Sequence, residues 1–257
     1  NYMSYIKEAT DNKEGNIKEK VQYNTIDTSK IGKYNIDYTL TDQAGNTTKK
    51  TLIIDVVTYI DDELYNPEDI EADIVKNPED ITVLVNKVNA LPSDWKPSDL
   101  EKTIDSGHML RKEANEAYTN FYQAARKQGI SIYTISAYRE HEKQEFYWNN
   151  QVKISGLKHA IMYSAYPGRS EHETGLAIDV SYAPSSETLD ISVKNSDLGK
   201  FIESDAYKYG FILRYPEDKV KITNYSYEPW HMRYVGVELA TKLHQENLTL
   251  DEYYNRG

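Results

Sequence analysis

The stretch Pro167-Gly168-Arg169-Ser170-Glu171-His172-Glu173-Thr174-Gly175-Leu176-Ala177-Ile178-Asp179 decides how this chain is read. A Pro-Gly turn leads to a histidine, a glycine follows, and an alternating segment ends on an acid. Gly175 to Val180 reads as a short strand in which Asp179 lies between Ile178 and Val180. A carboxylate among apolar neighbours is costly unless it is paired or bound to a metal. The residues leave both readings open, a buried salt bridge or a metal site. His172 lies seven positions before Asp179, and a loop ligand followed by a strand ligand is one way to bring two metal-binding atoms together.

Further along, Tyr227-Glu228-Pro229-Trp230-His231-Met232-Arg233-Tyr234 forms a second cluster. Read as a strand, His231 and Arg233 share one face, and Trp230, Met232 and Tyr234 share the other. Pro229 holds the backbone of Glu228 extended, which sets a carboxylate just ahead of a histidine on a stiff segment. Two imidazoles and one carboxylate would leave a tetrahedral zinc one open position. A nearby unligated acid would then serve as general base. Trp230 also has a plain reading as a core anchor. His141 and His244 sit in polar helical stretches and read as solvated; His108 and His159 read as structural or surface residues.

Around these clusters the pattern mixes helices and strands without a regular βαβ repeat. Ile81 to Val85 and Ile130 to Ile135 read as strands, as does His231 to Val235. Met109 to Gln128 reads as an amphipathic helix, with Leu110, Ala114, Ala117, Phe121 and Ala124 on one face and Gly129 past its end. Glu140 to Gln151, Ser196 to Tyr209 and Gly236 to Glu246 read as further helices. The expectation is an α+β domain over 79–257 with a small, largely antiparallel sheet.

Residues 1–57 differ in kind. Lys33 to Leu40 alternates cleanly, with Tyr34, Ile36, Tyr38 and Leu40 on one face. Asp42 to Asn46 is a turn, and Thr48 to Val57 closes a hairpin. An all-β module is expected there. Residues 58–78 are acidic and carry two Asn-Pro-Glu-Asp copies, Asn66–Asp69 and Asn77–Asp80, read as short helical turns in a linker.

Composition narrows the chemistry. The 257 residues carry a formal net charge of −11, which argues against a nucleic-acid partner and against a polybasic membrane surface. There is no cysteine, so disulfides, thiolate zinc sites and cysteine nucleophiles are excluded together. No apolar run is long enough to span a bilayer. The 23 tyrosines against 4 phenylalanines and 3 tryptophans predict a core whose rings keep their hydroxyls hydrogen-bonded. Asn1 is not a natural start, so upstream sequence, including any export signal, is expected beyond this stretch.

Two resemblances follow from these residues. The strings around Thr10-Asp11-Asn12 and Asp42-Gln43-Ala44-Gly45-Asn46 resemble the immunoglobulin-like modules of bacterial surface proteins, which implies a spacer whose first strand is missing. Ser136-Ala137-Tyr138-Arg139, then Ser170-x-His172-x-x-Gly175-x-Ala177-x-Asp179, then Glu228-Pro229-Trp230-His231-x-Arg233-Tyr234 resemble, in order, the VanY-type D-alanyl-D-alanine carboxypeptidases and their L,D-carboxypeptidase relatives. That resemblance implies a Zn2+ cofactor held by His172, Asp179 and His231, with Glu228 as catalytic base. It implies Arg139 as the group that polarises the scissile carbonyl or clamps the substrate, and Ser170 and Gln144 as substrate contacts. Arg139, Arg169 and Arg233 all remain candidates for binding the substrate carboxylate, and Arg233 reads equally as a structural ion-pair partner. The implied partner is the stem peptide of peptidoglycan, and the implied location is the bacterial cell wall outside the membrane. The implied reaction is removal of a C-terminal D-alanine. L,D-cleavage of tetrapeptides, cross-link cleavage and a non-catalytic wall-binding role are the alternatives.

Overall fold

The computed structural model describes residues 2–28, 32–56 and 65–254. The chain divides into two compact units, one running to Thr58 and the other from Tyr59 to Tyr254. The part of the expected linker at 58–64 lies outside the described residues.

In the first unit, strands Gly32–Thr41 and Thr47–Val56 form a hairpin, with Gln22–Tyr23 pairing on the other side of the first. The turn follows from its residues. Asp42 accepts from the Asn46 backbone at 2.8 Å and from the Asn46 side chain at 2.7 Å. Gly45 adopts φ 85°, a conformation that favours glycine. The expected alternation is present, with Ile36 buried between exposed Asn35 and Asp37.

The second unit is built on a four-stranded antiparallel sheet. Its order across the sheet is Tyr133–Ser136, Ala177–Ser181, His231–Tyr234, Phe211–Leu213. The helix Lys112–Lys127 packs Ala114, Tyr118, Phe121 and Ala125 against Leu176, Ile178, Val180 and Met232. Phe121 stacks on Phe201 from the helix Asp197–Asp205, with centroids 4.9 Å apart. The tyrosine expectation holds at Tyr65, Tyr118 and Tyr234, where the Tyr234 hydroxyl donates to Glu113 at 2.7 Å. The Tyr118 hydroxyl accepts from Thr134 at 2.8 Å, and the Tyr65 hydroxyl donates to the Lys87 carbonyl at 3.1 Å.

Besides small shifts of strand ends, with Ile130 to Ile135 found at Tyr133–Ser136 and Gly175 to Val180 at Ala177–Ser181, three regions differ from the sequence reading. The long helix starts at Lys112, because Met109–Arg111 is drawn into a two-stranded ladder with Leu100–Lys102. Ile81 to Val85 is not a strand; it is irregular, and the carbonyls of Ile81 and Val83 accept from Arg233 instead of from a neighbouring strand. Residues 65–78 are not a linker but part of the second unit. Tyr65 packs with Trp148, Ala160 and Ile161, and Asp73–Ile74 pairs in parallel with Asn89–Ala90. The two Asn-Pro-Glu-Asp copies do form single turns, closed by Asp69 N–H to Asn66 O at 3.0 Å and Asp80 N–H to Asn77 O at 3.2 Å.

Candidate active site

Sheet register brings the chemistry together. Asp179 and His231 are direct cross-strand partners, and Ser136 faces Asp179 from the other side across an irregularity in the ladder. His172 arrives from the loop. Glu171–Thr174 forms one tight helical turn that ends at Gly175 with φ 69°. A Cβ at Gly175 would lie 2.9 Å from Arg111 Cγ, so glycine is required there by space as well as by conformation.

The three side chains meet. Asp179 lies 3.1 Å from His172 Nε2 through one oxygen and 2.8 Å from His231 Nδ1 through the other. One ligand atom from each residue falls within 4.8 Å of the others, and all three residues are buried. The opposite nitrogens are anchored. His172 Nδ1 faces the Ala137 carbonyl at 2.8 Å, and His231 Nε2 faces Glu171 at 3.3 Å. A carbonyl and an ionised carboxylate only accept, so each ring donates there and turns its lone pair toward the common point. That arrangement fits a metal ion. The surrounding acids favour positive charge: burial alone would lower His231, but hydrogen bonds to Asp179 and Glu171 outweigh it and raise it to about 10, and a bound cation would take the place of the ring proton on Nδ1. His172 is lowered by burial. For Asp179, burial is opposed and overcome by His172 and His231, which hold the carboxyl well below the usual range.

Glu228 sits at the turn entering the last site strand, its carbonyl accepting from the His231 N–H at 3.1 Å. Its carboxylate approaches His231 Nδ1 to 4.0 Å and keeps 14% of its side chain exposed to the cleft. Burial raises its carboxyl to about 7; His231 opposes the rise and Asp179 adds to it. Arg139, Ser170, His172, Asp179, Glu228 and His231 line one cleft. Trp230 is a half-buried wall of that cleft and not a core anchor.

Several expectations separate at this point. Gln144 is 1% exposed and does not line the cleft. It accepts from Arg139 Nη1 at 2.8 Å and donates to the Ala165 carbonyl at 2.7 Å, so it orients Arg139 from behind the cleft wall. Of the three arginines, only Arg139 reaches the cleft. Arg169 is buried with its guanidinium donating to the Tyr65 hydroxyl and to the carbonyls of Pro67, Ile70 and Lys87. Arg233 is fully buried against Glu171 and the carbonyls of Ile81, Val83 and Tyr234. Their donors are spent on the fold. His141 is half-buried against Glu173 at 2.8 Å and not simply solvated. His244 is exposed and stacks on Tyr207, His159 is exposed, and His108 is half-buried.

Sequence reading passed over Glu171, Arg214, Asp251 and the Ala137 carbonyl. Glu171 stood in plain view between Ser170 and His172. Its signal was an acid directly beside a candidate ligand; Arg214 and Asp251 carried no local signal.

A buried His-Asp-His group with a free acid and an arginine in the same cleft, carried on a small antiparallel sheet, defines a metallopeptidase centre. Residues 107–237 match the family model VanY, described as D-alanyl-D-alanine carboxypeptidase, and residues 1–56 match that of the immunoglobulin-like domain of bacterial surface proteins. The putative carboxypeptidase YodJ of Bacillus subtilis is 36% identical, over 93% of this chain and 84% of that protein. The chain belongs to the VanY family of carboxypeptidases. The solved structure of the LdcB LD-carboxypeptidase is similar at 41% identity and a TM-score of 0.65, covering 71% of this chain and 89% of that one. The vancomycin-resistance D,D-pentapeptidase VanY, solved with Zn(II), is similar at 32% identity and a TM-score of 0.57, covering 67% and 98%. Zinc is therefore the cofactor that the family and the His-Asp-His group share. Among the described residues no helix is long and apolar enough to cross a membrane.

Proposed function

We propose that this chain removes the C-terminal D-alanine from peptidoglycan stem peptides, with His172, Asp179 and His231 as zinc ligands and Glu228 as the base. One observation carries the reading: Glu228 is held beside the His-Asp-His group without belonging to it, in the cleft that Arg139 also enters. Bound zinc polarises an amide carbonyl and acidifies water toward a pKa of about 7. Glu228 takes a proton from the attacking water and delivers it to the leaving amine as the amide C–N bond breaks. A carboxyl raised to about 7 suits a group that must both accept and return a proton near neutrality. The Arg139 guanidinium, steadied by Gln144 and by Ser136 at 3.0 Å, supplies donors to the oxyanion or to the free carboxylate of the substrate. Ser170, at the cleft wall, contacts the substrate. The location that fits such a substrate and a surface-type module is the bacterial cell wall, outside the membrane.

The likeness to an LD-carboxypeptidase favours a second reading, cleavage of the L,D bond in tetrapeptides. Incubating one preparation with penta- and tetrapeptides and identifying the products separates the two. Glu228→Ala tests the centre itself. The expected outcome is a fall in D-alanine release of about 10²–10⁴-fold with folding and zinc retained. Release at the unaltered rate would overturn the assignment of the base.

A further inference from the structure

We propose that Glu171 is the positioning residue for His231, held in place by Arg214 and, through it, by Asp251. The inference rests on the metal-centre reading above and extends it to the side chains behind the ligating histidine.

The two oxygens of Glu171 have divided tasks. Oε1 accepts from Arg214 Nε at 2.7 Å and from Arg233 Nη1 at 2.8 Å. Oε2 is left facing His231 Nε2 at 3.3 Å. Both arginines are themselves fixed. Arg233 is tied to three backbone carbonyls, and Arg214 Nη1 donates to Asp251 at 2.5 Å. Glu171 and both guanidinium groups are fully buried. Two acids and two arginines balance, so the quartet offers His231 a fixed acceptor without adding net charge to the interior.

The two histidines are therefore supported in different ways. His172 donates to a backbone carbonyl, which no side-chain substitution removes. His231 depends on a side chain. A ligating imidazole must be neutral, with its lone pair on the ligand nitrogen. An ionised carboxylate can only accept, so it holds the ring proton on Nε2 and leaves Nδ1 for the metal. A glutamine at the same place could turn its amide NH2 to the ring and favour the wrong tautomer. Asp251 lies in the short helix Leu250–Tyr254, beyond the 107–237 stretch matched by the family model. The helix Leu250–Tyr254 thereby acts on the metal centre through two intervening side chains.

The test is zinc affinity of the full chain, measured by chelator competition, in Glu171→Gln and Asp251→Asn. Circular dichroism reports folding. Cobalt(II) absorption serves as a second readout of ligand geometry. Zinc binding should weaken about 10–100-fold in Glu171→Gln, with a shifted cobalt spectrum, and weaken in the same direction by less in Asp251→Asn. Folded variants with the unaltered affinity and spectrum would overturn the relay while leaving the metal centre intact. Should Glu171→Gln fail to fold, Asp251→Asn decides by the same criterion, because it does not touch His231. An unaltered chain that binds no zinc would overturn the metal centre and the relay together.

Discussion

Two aspartates, each opposite a cross-strand partner in an antiparallel ladder, behave as different chemical objects. Asp37 faces Thr51 in the N-terminal hairpin and accepts from its hydroxyl at 2.6 Å on an exposed face. Asp179 faces His231 in the four-stranded sheet and is buried between two imidazoles. The hairpin has ten paired positions and, among its described residues, a single buried side chain, Ile36. The strand Ala177–Ser181 has five residues, all buried. Ladder length contributes nothing to reactivity. Burial does, because an acid removed from water must find partners, and the partners it finds define what it can bind.

The largest expected effect lies on the buried side of this comparison. Asp179→Ala should abolish both zinc content and D-alanine release, whereas Asp37→Ala should leave both unchanged; stoichiometric zinc in the first variant, read by mass spectrometry, would break the contrast. Next, Arg139→Ala should slow turnover by about 10²–10³-fold with zinc content intact. Gln144→Ala should follow in the same direction by less, because it acts through Arg139. An equal loss of zinc in either would show that these residues hold the metal loop and not the substrate. Smaller still is Tyr65→Phe, which removes a hydroxyl shared by Arg169 and the Lys87 carbonyl. It should cost the second unit about 1–2 kcal/mol in denaturant unfolding; no change would show that the hydroxyl is dispensable to the packing of residues 65–78. At the bottom, Thr51→Ala in the exposed hairpin pair should stay within about 0.5 kcal/mol.

How much was legible follows the same division. The hairpin could be read nearly residue by residue, because alternation and turn chemistry are local signals. Arg139, Ser170, His172, Asp179, Glu228 and His231, which the motif resemblance implied, came together at the cleft, whereas Gln144, Arg169 and Arg233 did not; Asp179 stood out by itself, because an acid among apolar strand residues is costly without partners. What escaped notice was long-range. Nothing near Tyr65 announces that a guanidinium 104 positions away needs its hydroxyl. Nothing near Ile81 says that its carbonyl is reserved for Arg233 and not for a neighbouring strand. Arg169 stayed a candidate substrate clamp because sequence shows charge but not burial, while the alternative reading of Arg233 as a structural ion-pair partner is the one its contact with Glu171 supports. Short apolar segments such as Ile81 to Val85 satisfy a strand pattern equally well when they serve as acceptors for a buried cation.

The pairing of Asp179 with His231 has a consequence for how the domain assembles. Side chains alternate faces along a strand, so a slip of one residue would turn His231 to the opposite side of the sheet and part it from Asp179. A misaligned chain would thus forfeit the ion, and only the correctly threaded one would gain the stabilisation that comes from capturing it. The cofactor would then proofread the sheet as it matures, rewarding the one alignment able to work.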